Sequence, residues 1–333
     1  MNPEGAHWIR VNRFFGDALM AWAAIEPLRR AGLPLMVWGP APVVELFEGS
    51  AGVVGTVAEA TRKYGVLEAA RMLRPARPAS LIGFPKSARP HLAALLAGVP
   101  LRLGCGDGGV GLLMTHSVAF YRRDDHFVER YASVVARAFP DLGPLGFSPF
   151  RPRDEAFARQ EAQAREAGLG GDHVVLAPGA NSGIKRLSIP RFVALGRRLA
   201  AEGLRPVLLG AGAEDRRLAT AIREEVPEAL DLVDRCSLAT SAAWICRARA
   251  LVGMDSGLGH VAAGAGIPTL AIFGPTRPQH SRPWGPRVHV IRKEDLACLG
   301  CMRFHCPVPG HPCMDALEDD RLWRELTLLM EHP

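Results

Sequence analysis

The stretch LVGMDSGLGHVAAGAGIPTLAIFGPT, Leu251 to Thr276, decides how the chain is read. Its apolar run ALVGM ends at Asp255, a small-residue helix HVAAGAG begins almost at once, and PTLAIF reads as the next strand. Within it, GLGHVA (Gly257 to Ala262) fits the G-x-G-x-x-A form of a dinucleotide-binding turn. Such a turn wants an acidic residue about 20 positions further on, to take the ribose hydroxyls. No Asp or Glu stands between Asp255 and Glu294, so the nicotinamide reading fails on its second half.

A phosphate reading survives. Ser256 to Gly259 would present backbone N–H groups at a helix N-terminus, where the macrodipole favours an anion. Gly257 and Gly259 would let a diphosphate approach the backbone. The competing reading is that these glycines allow tight helix–sheet packing while Ser256 or Asp255 caps the helix. Two other loops follow predicted strands. In LAPGANSGIKRLSIP, Pro178 and Gly179 leave a strand and Lys185 precedes a helix starting at Pro190, so Lys185 is the candidate cation for the same anion. In RFFGDAL, Gly16 and Asp17 follow the first strand. Asp17 reads as an ordinary first-turn helix acid unless its loop faces the same cleft; there, a carboxylate can act as general base on an acceptor hydroxyl.

Outward from these loops the chain alternates strand and helix. HWIRVNR, LPLMVWGP, Val53 to Val57, SLIGF and Leu101 to Gly104 are strands in the first half, and Gly16 to Gly32 reads as one helix closed by glycine. HVVLAPGA, RPVLLGAG, LDLV, ALVGMDSG, PTLAIFGP and RVHVIRK are strands in the second. Alternation of this kind means βαβ units and a parallel sheet. The tract Pro140 to Phe157 is rich in Pro and Gly without periodicity and reads as a linker. The expectation is an α/β protein of two Rossmann-like domains, residues 1–150 and 151–333, with a ligand cleft between them and the last helix packing back toward the N-terminal domain.

Composition narrows the function classes. At 333 residues, 48% hydrophobic and 22% charged, the chain has the make-up of a globular enzyme. No apolar run reaches the roughly 18–20 residues of a membrane span, and the start lacks the pattern of a secretory signal, so a cytoplasmic location is expected. The net charge of +6 comes mostly from scattered arginine, with no basic block and only 7% aromatics. That favours a generally solvated surface over a nucleic-acid site; an anionic substrate or acidic membrane face fits equally. Cys105, Cys236 and Cys246 read as buried small hydrophobes. Cys298, Cys301, Cys306 and Cys313 crowd into C-x2-C-x4-C-x6-C, with His305 and His311 inside the cluster. Both a structural metal and reduced thiols packed in a loop fit that spacing.

The motifs carry a resemblance. MDSGLGHVAAGAGIPTLAIFGPT resembles the D-[TS]-G-x-x-H-x-A…P…FGPT signature of glycosyltransferase family 9, the bacterial lipopolysaccharide heptosyltransferases and their relatives. LAPGANSGIKRLSIPRFVALGRRL is similar to that family's lysine loop and helix, RFFGDAL to its Gly–Asp loop, and HFVERYASV (His126 to Val134) to its H…RY helix. The resemblance implies a GT-B fold and an inverting, metal-independent transfer with no cofactor. The implied donor is a nucleotide-sugar, usually ADP-heptose, and the acceptor a lipid-linked lipopolysaccharide inner core at the inner face of the cytoplasmic membrane. It implies Asp17 as catalytic base and Arg13 and Gly16 as acceptor contacts. Gly179, Lys185, Asp255, Ser256, Gly257 and His260 would form the donor site. The chain departs from the pattern at Arg13-Phe14-Phe15, where members carry small polar residues, and at Leu187-Ser188-Ile189-Pro190, where many have Trp–Pro. The rival expectations are a nicotinamide oxidoreductase using GLGHVA and a non-catalytic sugar-nucleotide-binding protein.

Overall fold

The computed structural model describes residues 4–59, 64–84, 87–119 and 125–331. The chain divides into two compact units, Met1–Arg153 and Asp154–Pro333. In the first, the strands are β1 (His7–Arg10), β2 (Leu35–Pro40), β3 (Val53–Glu59), β4 (Ser80–Gly83), β5 (Leu101–Cys105) and β6 (His116–Val118). In the second they are β7 (His173–Ala177), β8 (Arg205–Leu208), β9 (Leu230–Asp231), β10 (Ala250–Met254), β11 (Thr269–Ile272) and β12 (Val288–Ile291). Among the described residues these form two six-stranded sheets, ordered β3-β2-β1-β4-β5-β6 and β12-β11-β10-β7-β8-β9. Every pairing is parallel.

Counted from its own first strand, each sheet has the order 3-2-1-4-5-6 of a doubly wound nucleotide-binding sheet. Its topological switch point lies between strands 1 and 4, and ligands bind outside the carboxyl ends of the strands there. In the first unit those strands are β1 and β4; in the second, β7 and β10. The central strands are buried on both faces, as in Val174-Val175-Leu176 and Leu251-Val252, which is why they read as unbroken apolar runs rather than alternating ones.

Local departures have physical causes. The helix expected over Gly16 to Gly32 is two, Phe15–Ala24 and Glu26–Arg30, divided at Ile25. Pro27 has no N–H to continue the ladder, and its ring would strike the carbonyl four residues back. The Pro- and Gly-rich tract after Pro140 is irregular but held down. Buried Glu26 accepts hydrogen bonds from the Gly146 N–H and the Ser148 hydroxyl, each at 2.9 Å, and Arg29 donates to the Ser148 and Pro149 carbonyls. The next helix begins at Asp154. The last helix, Asp319–Glu331, buries Leu322 and Leu326 in the core of its own unit, with Phe192, Val252 and Leu270. Part of its apolar face is therefore buried within that unit.

Candidate functional site

Both loops at the switch point of the second sheet carry the expected residues. The β7 strand ends at Ala177, opposite Gly253 of β10, so Pro178 and Asp255 leave the sheet side by side. From Pro178 the chain runs to a 3-10 turn at Gly183–Lys185, closed by the Lys185 N–H on the Ser182 carbonyl. Arg186 fastens it, donating to the Ala180 carbonyl at 3.0 Å and to Glu214 at 2.9 Å. Lys185 then reaches across to Asp255, with Nζ 2.6 Å from Oδ2. The pair is partly sheltered, its side chains 20% and 11% exposed. An ammonium has three donors, and Asp255 occupies one of them.

Past Asp255, Ser256 is extended (φ −146°, ψ 170°) and precedes the helix Gly257–Gly264. The Ser256 side chain makes no capping bond, so the capping role considered for it is absent. The first N–H groups of this helix have no acceptor within it. His260 is buried inside the helix, with 7% of its surface exposed. A side chain at Gly259 would meet Pro283 at 3.4 Å, ordinary contact, so this glycine is not required by packing.

Gly179 has a structural reason of its own. A Cβ there would overlap Oδ1 of Asp215, whose carboxylate lies between Gly179 and Gly210 and accepts the Ala211 N–H at 2.9 Å. Burial raises the Asp215 pKa above the ordinary carboxylate value, and the Ala211 N–H opposes that shift. The sequence carries no sign of this contact. Nor does it assign a role to Thr276, in the loop after β11, whose Oγ1 is buried without a hydrogen-bond partner among the described residues. A buried hydroxyl left this way is costly and is a signal for a ligand.

In the first unit, the loop after β1 carries Asn12, Arg13, Phe14 and Asp17. Asp17 stands in the first turn of Phe15–Ala24, exposed, and Gly16 lies beside it in that turn. The Asn12 side chain joins the loop to the helix: Oδ1 accepts the Phe14 N–H at 2.7 Å and Nδ2 donates to Asp17 Oδ2 at 3.0 Å. Arg13 is exposed, its guanidinium 4.8 Å from the Phe14 ring centroid. Behind the loop, buried Arg10 pairs with Glu59 at 2.8 Å and donates to the Trp38 and Val11 carbonyls, while the Trp38 indole donates to Glu59. That network ties together the carboxyl ends of β1, β2 and β3. Tyr131, in the helix Phe127–Ala138, stacks on Phe84 at 4.3 Å. Burial pushes its phenol well above the ordinary range, with the charge of nearby Asp17 a lesser cause. His126 caps that helix, its Nδ1 accepting the Val128 N–H.

The cysteine-rich segment lies against the loop after β11. The Gly300 and Met302 N–H groups donate to the Gly274 and Pro275 carbonyls, and Cys313 Sγ would lie 3.0 Å from a Cβ at Gly274. All four of its thiols are free, and burial with the neighbouring thiols raises Cys313 to about 11. Among the described residues no group of three or more His, Cys, Asp or Glu is placed to hold a metal ion. Of the other cysteines, Cys105 is buried; Cys236 and Cys246 are only half-buried, a correction to the expectation for them. No helix among the described residues is long and apolar enough to cross a membrane.

Two parallel sheets of this order define the GT-B class of α/β fold. The chain belongs to glycosyltransferase family 9 (heptosyltransferase), whose sequence profile matches residues 85–311. Lipopolysaccharide heptosyltransferase 1 of Pseudomonas aeruginosa is 31% identical over 193 residues, 56% of this chain and 52% of that protein. The chain spans about half the length of the curated relatives it matches. The structure of Escherichia coli ADP-heptose LPS heptosyltransferase II superposes with a TM-score of 0.78 at 21% identity, covering 98% of each chain. A family 9 glycosyl transferase from Veillonella parvula superposes at 0.83 with 17% identity, covering 100% of this chain and 99% of that one.

Proposed function

We propose that the protein is an inverting glycosyltransferase that moves a sugar, heptose from ADP-heptose, onto a lipopolysaccharide inner-core acceptor. The second unit holds the donor and the first the acceptor, at the cytoplasmic face of the membrane. The observation that carries this reading is the Lys185–Asp255 pair standing at the N-terminus of Gly257–Gly264, on the switch point of the second sheet. Family membership and the ADP-heptose named for the Escherichia coli structural neighbour support the donor assignment.

The chemistry follows from these parts. Asp17 takes the proton of the acceptor hydroxyl, whose oxygen attacks the anomeric carbon as the bond to the diphosphate breaks. Negative charge develops on the departing diphosphate. Lys185 keeps two N–H donors for it beyond the one on Asp255, and the backbone N–H groups after Ser256 supply the rest. Thr276 offers its orphaned hydroxyl to the same anion. Gly257 admits the phosphate to the backbone, His260 backs the loop from inside the helix, and Arg13 contacts the acceptor with Gly16 beside it.

Calorimetric titration with ADP, GDP and UDP tests the donor site. The expected result is ADP binding that Lys185→Ala weakens about tenfold or more, the loss of one charge-assisted contact. Unchanged ADP affinity in Lys185→Ala removes the lysine from the site; tighter GDP or UDP binding replaces the nucleotide.

A further inference from the structure

Resting on Asp17 as the base, we propose that Asn12 is its positioning residue: the one amide orients the carboxylate and frees it from the helix end it would otherwise cap. A side-chain carboxylate in the third position of a helix can reach back to the N-cap N–H, as in a capping box, which satisfies an orphan donor and ties up the carboxylate. Here that N–H, of Phe14, is taken by Asn12 Oδ1 at 2.7 Å. The other end of the same amide donates from Nδ2 to Asp17 Oδ2 at 3.0 Å. Phe14 itself contributes no side-chain cap.

The amide therefore does two things at once. It satisfies the helix end with its oxygen and fixes the rotation of the Asp17 carboxyl with its nitrogen. Oδ2 is held from the Asn12 side, and Asp17 Oδ1 is the oxygen left to receive a proton. Asn12 is in turn anchored because Val11, just before it, is buried and its carbonyl accepts from Arg10 in the ion-paired network of Glu59 and Trp38. A base fixed in this way needs no reorientation when the acceptor arrives, and misplacement by even an ångström is costly in rate.

Two substitutions separate the roles. Asn12→Asp keeps an oxygen for the Phe14 N–H but replaces the donor facing Asp17 with a carboxylate; Asn12→Ala removes both. Steady-state transfer with ADP-heptose and a Kdo–lipid A acceptor, plus thermal unfolding, is measured for both and for Asp17→Asn. The expected result is an inactive Asp17→Asn, and kcat lowered about tenfold or more in both Asn12 variants with donor KM within about twofold. Asn12→Asp should unfold within a few degrees of the parent. Wild-type kcat in Asn12→Asp, with Asp17→Asn inactive, overturns the positioning role and leaves the base in place. A rise in donor KM matching the fall in kcat, with lowered unfolding temperature, makes Asn12 structural and also overturns it. Full activity of Asp17→Asn overturns the base assignment itself.

Discussion

Gly179 shows how a motif glycine can answer to two demands. Its place in the proposed donor loop suggests a close approach of phosphate to backbone, yet the nearest atoms to an added methyl belong to the Asp215 carboxylate. Gly179→Ala must therefore push Asp215 off the Ala211 N–H even with no nucleotide present. The expected cost is about 1–3 kcal/mol of stability, the usual range for overpacking, measured by denaturant unfolding of the ligand-free protein. Pairing it with Asp215→Ala should return most of that loss, since the two changes share one contact. Unaltered stability in the single variant would leave the donor as the sole reason for the glycine. Neither Asp215 nor Asn12 was legible in the sequence, because each acts through a contact fixed by loop geometry. Lys185 and Asp255 were legible as separate candidates, but their direct pairing over 70 residues is a property of the fold.

At the scale of elements, β4, β5 and the helix Ala88–Leu96 enclose a buried histidine. His91 Nε2–H donates to the Gly83 carbonyl at 2.9 Å, and a Cβ on Gly104 would stand 2.7 Å from the same nitrogen. Two strand glycines thus make room for one imidazole. Burial lowers the His91 pKa to about 4, with the Gly83 bond opposing the shift and the charge of Arg102 adding to it. His7 and His173 are also lowered by burial. The native state holds His91 neutral while the unfolded chain takes up a proton near its ordinary value of 6.5. Its stabilising effect is therefore complete above pH 6.5 and is lost as pH falls toward 4, about 3 kcal/mol in all. Chemical denaturation at pH 7, 5.5 and about 4 should show that decline, and His91→Gln should flatten it. An equal slope in both proteins would assign the acid sensitivity elsewhere. Strand–helix alternation placed most of these elements correctly. It missed β6, whose three residues carry no periodic signal, and merged two helices where Pro27 divides them.

For the whole molecule, the two-sheet α/β architecture was readable because buried parallel strands give apolar runs and each is followed by an amphipathic helix or a glycine turn. The repeated 3-2-1-4-5-6 order was not, since strand order depends on crossovers that leave no mark in local sequence. That order matters functionally: it puts the Asp17 loop after a central strand of the first sheet, and the Lys185 and Asp255 loops after the two central strands of the second. The fate of the last helix was hidden for a related reason, because its amphipathic pattern says that one face is buried but not against what.

The most direct measurement is release of ADP from ADP-heptose by the purified protein, with and without a Kdo–lipid A acceptor, alongside Asp17→Asn. A glycosyltransferase with Asp17 as base releases ADP only with acceptor present, transfers one heptose per ADP, and loses both in Asp17→Asn while still binding ADP. Acceptor-dependent release at the parent rate in Asp17→Asn, or no release from the parent protein with this pair of substrates, would contradict the account.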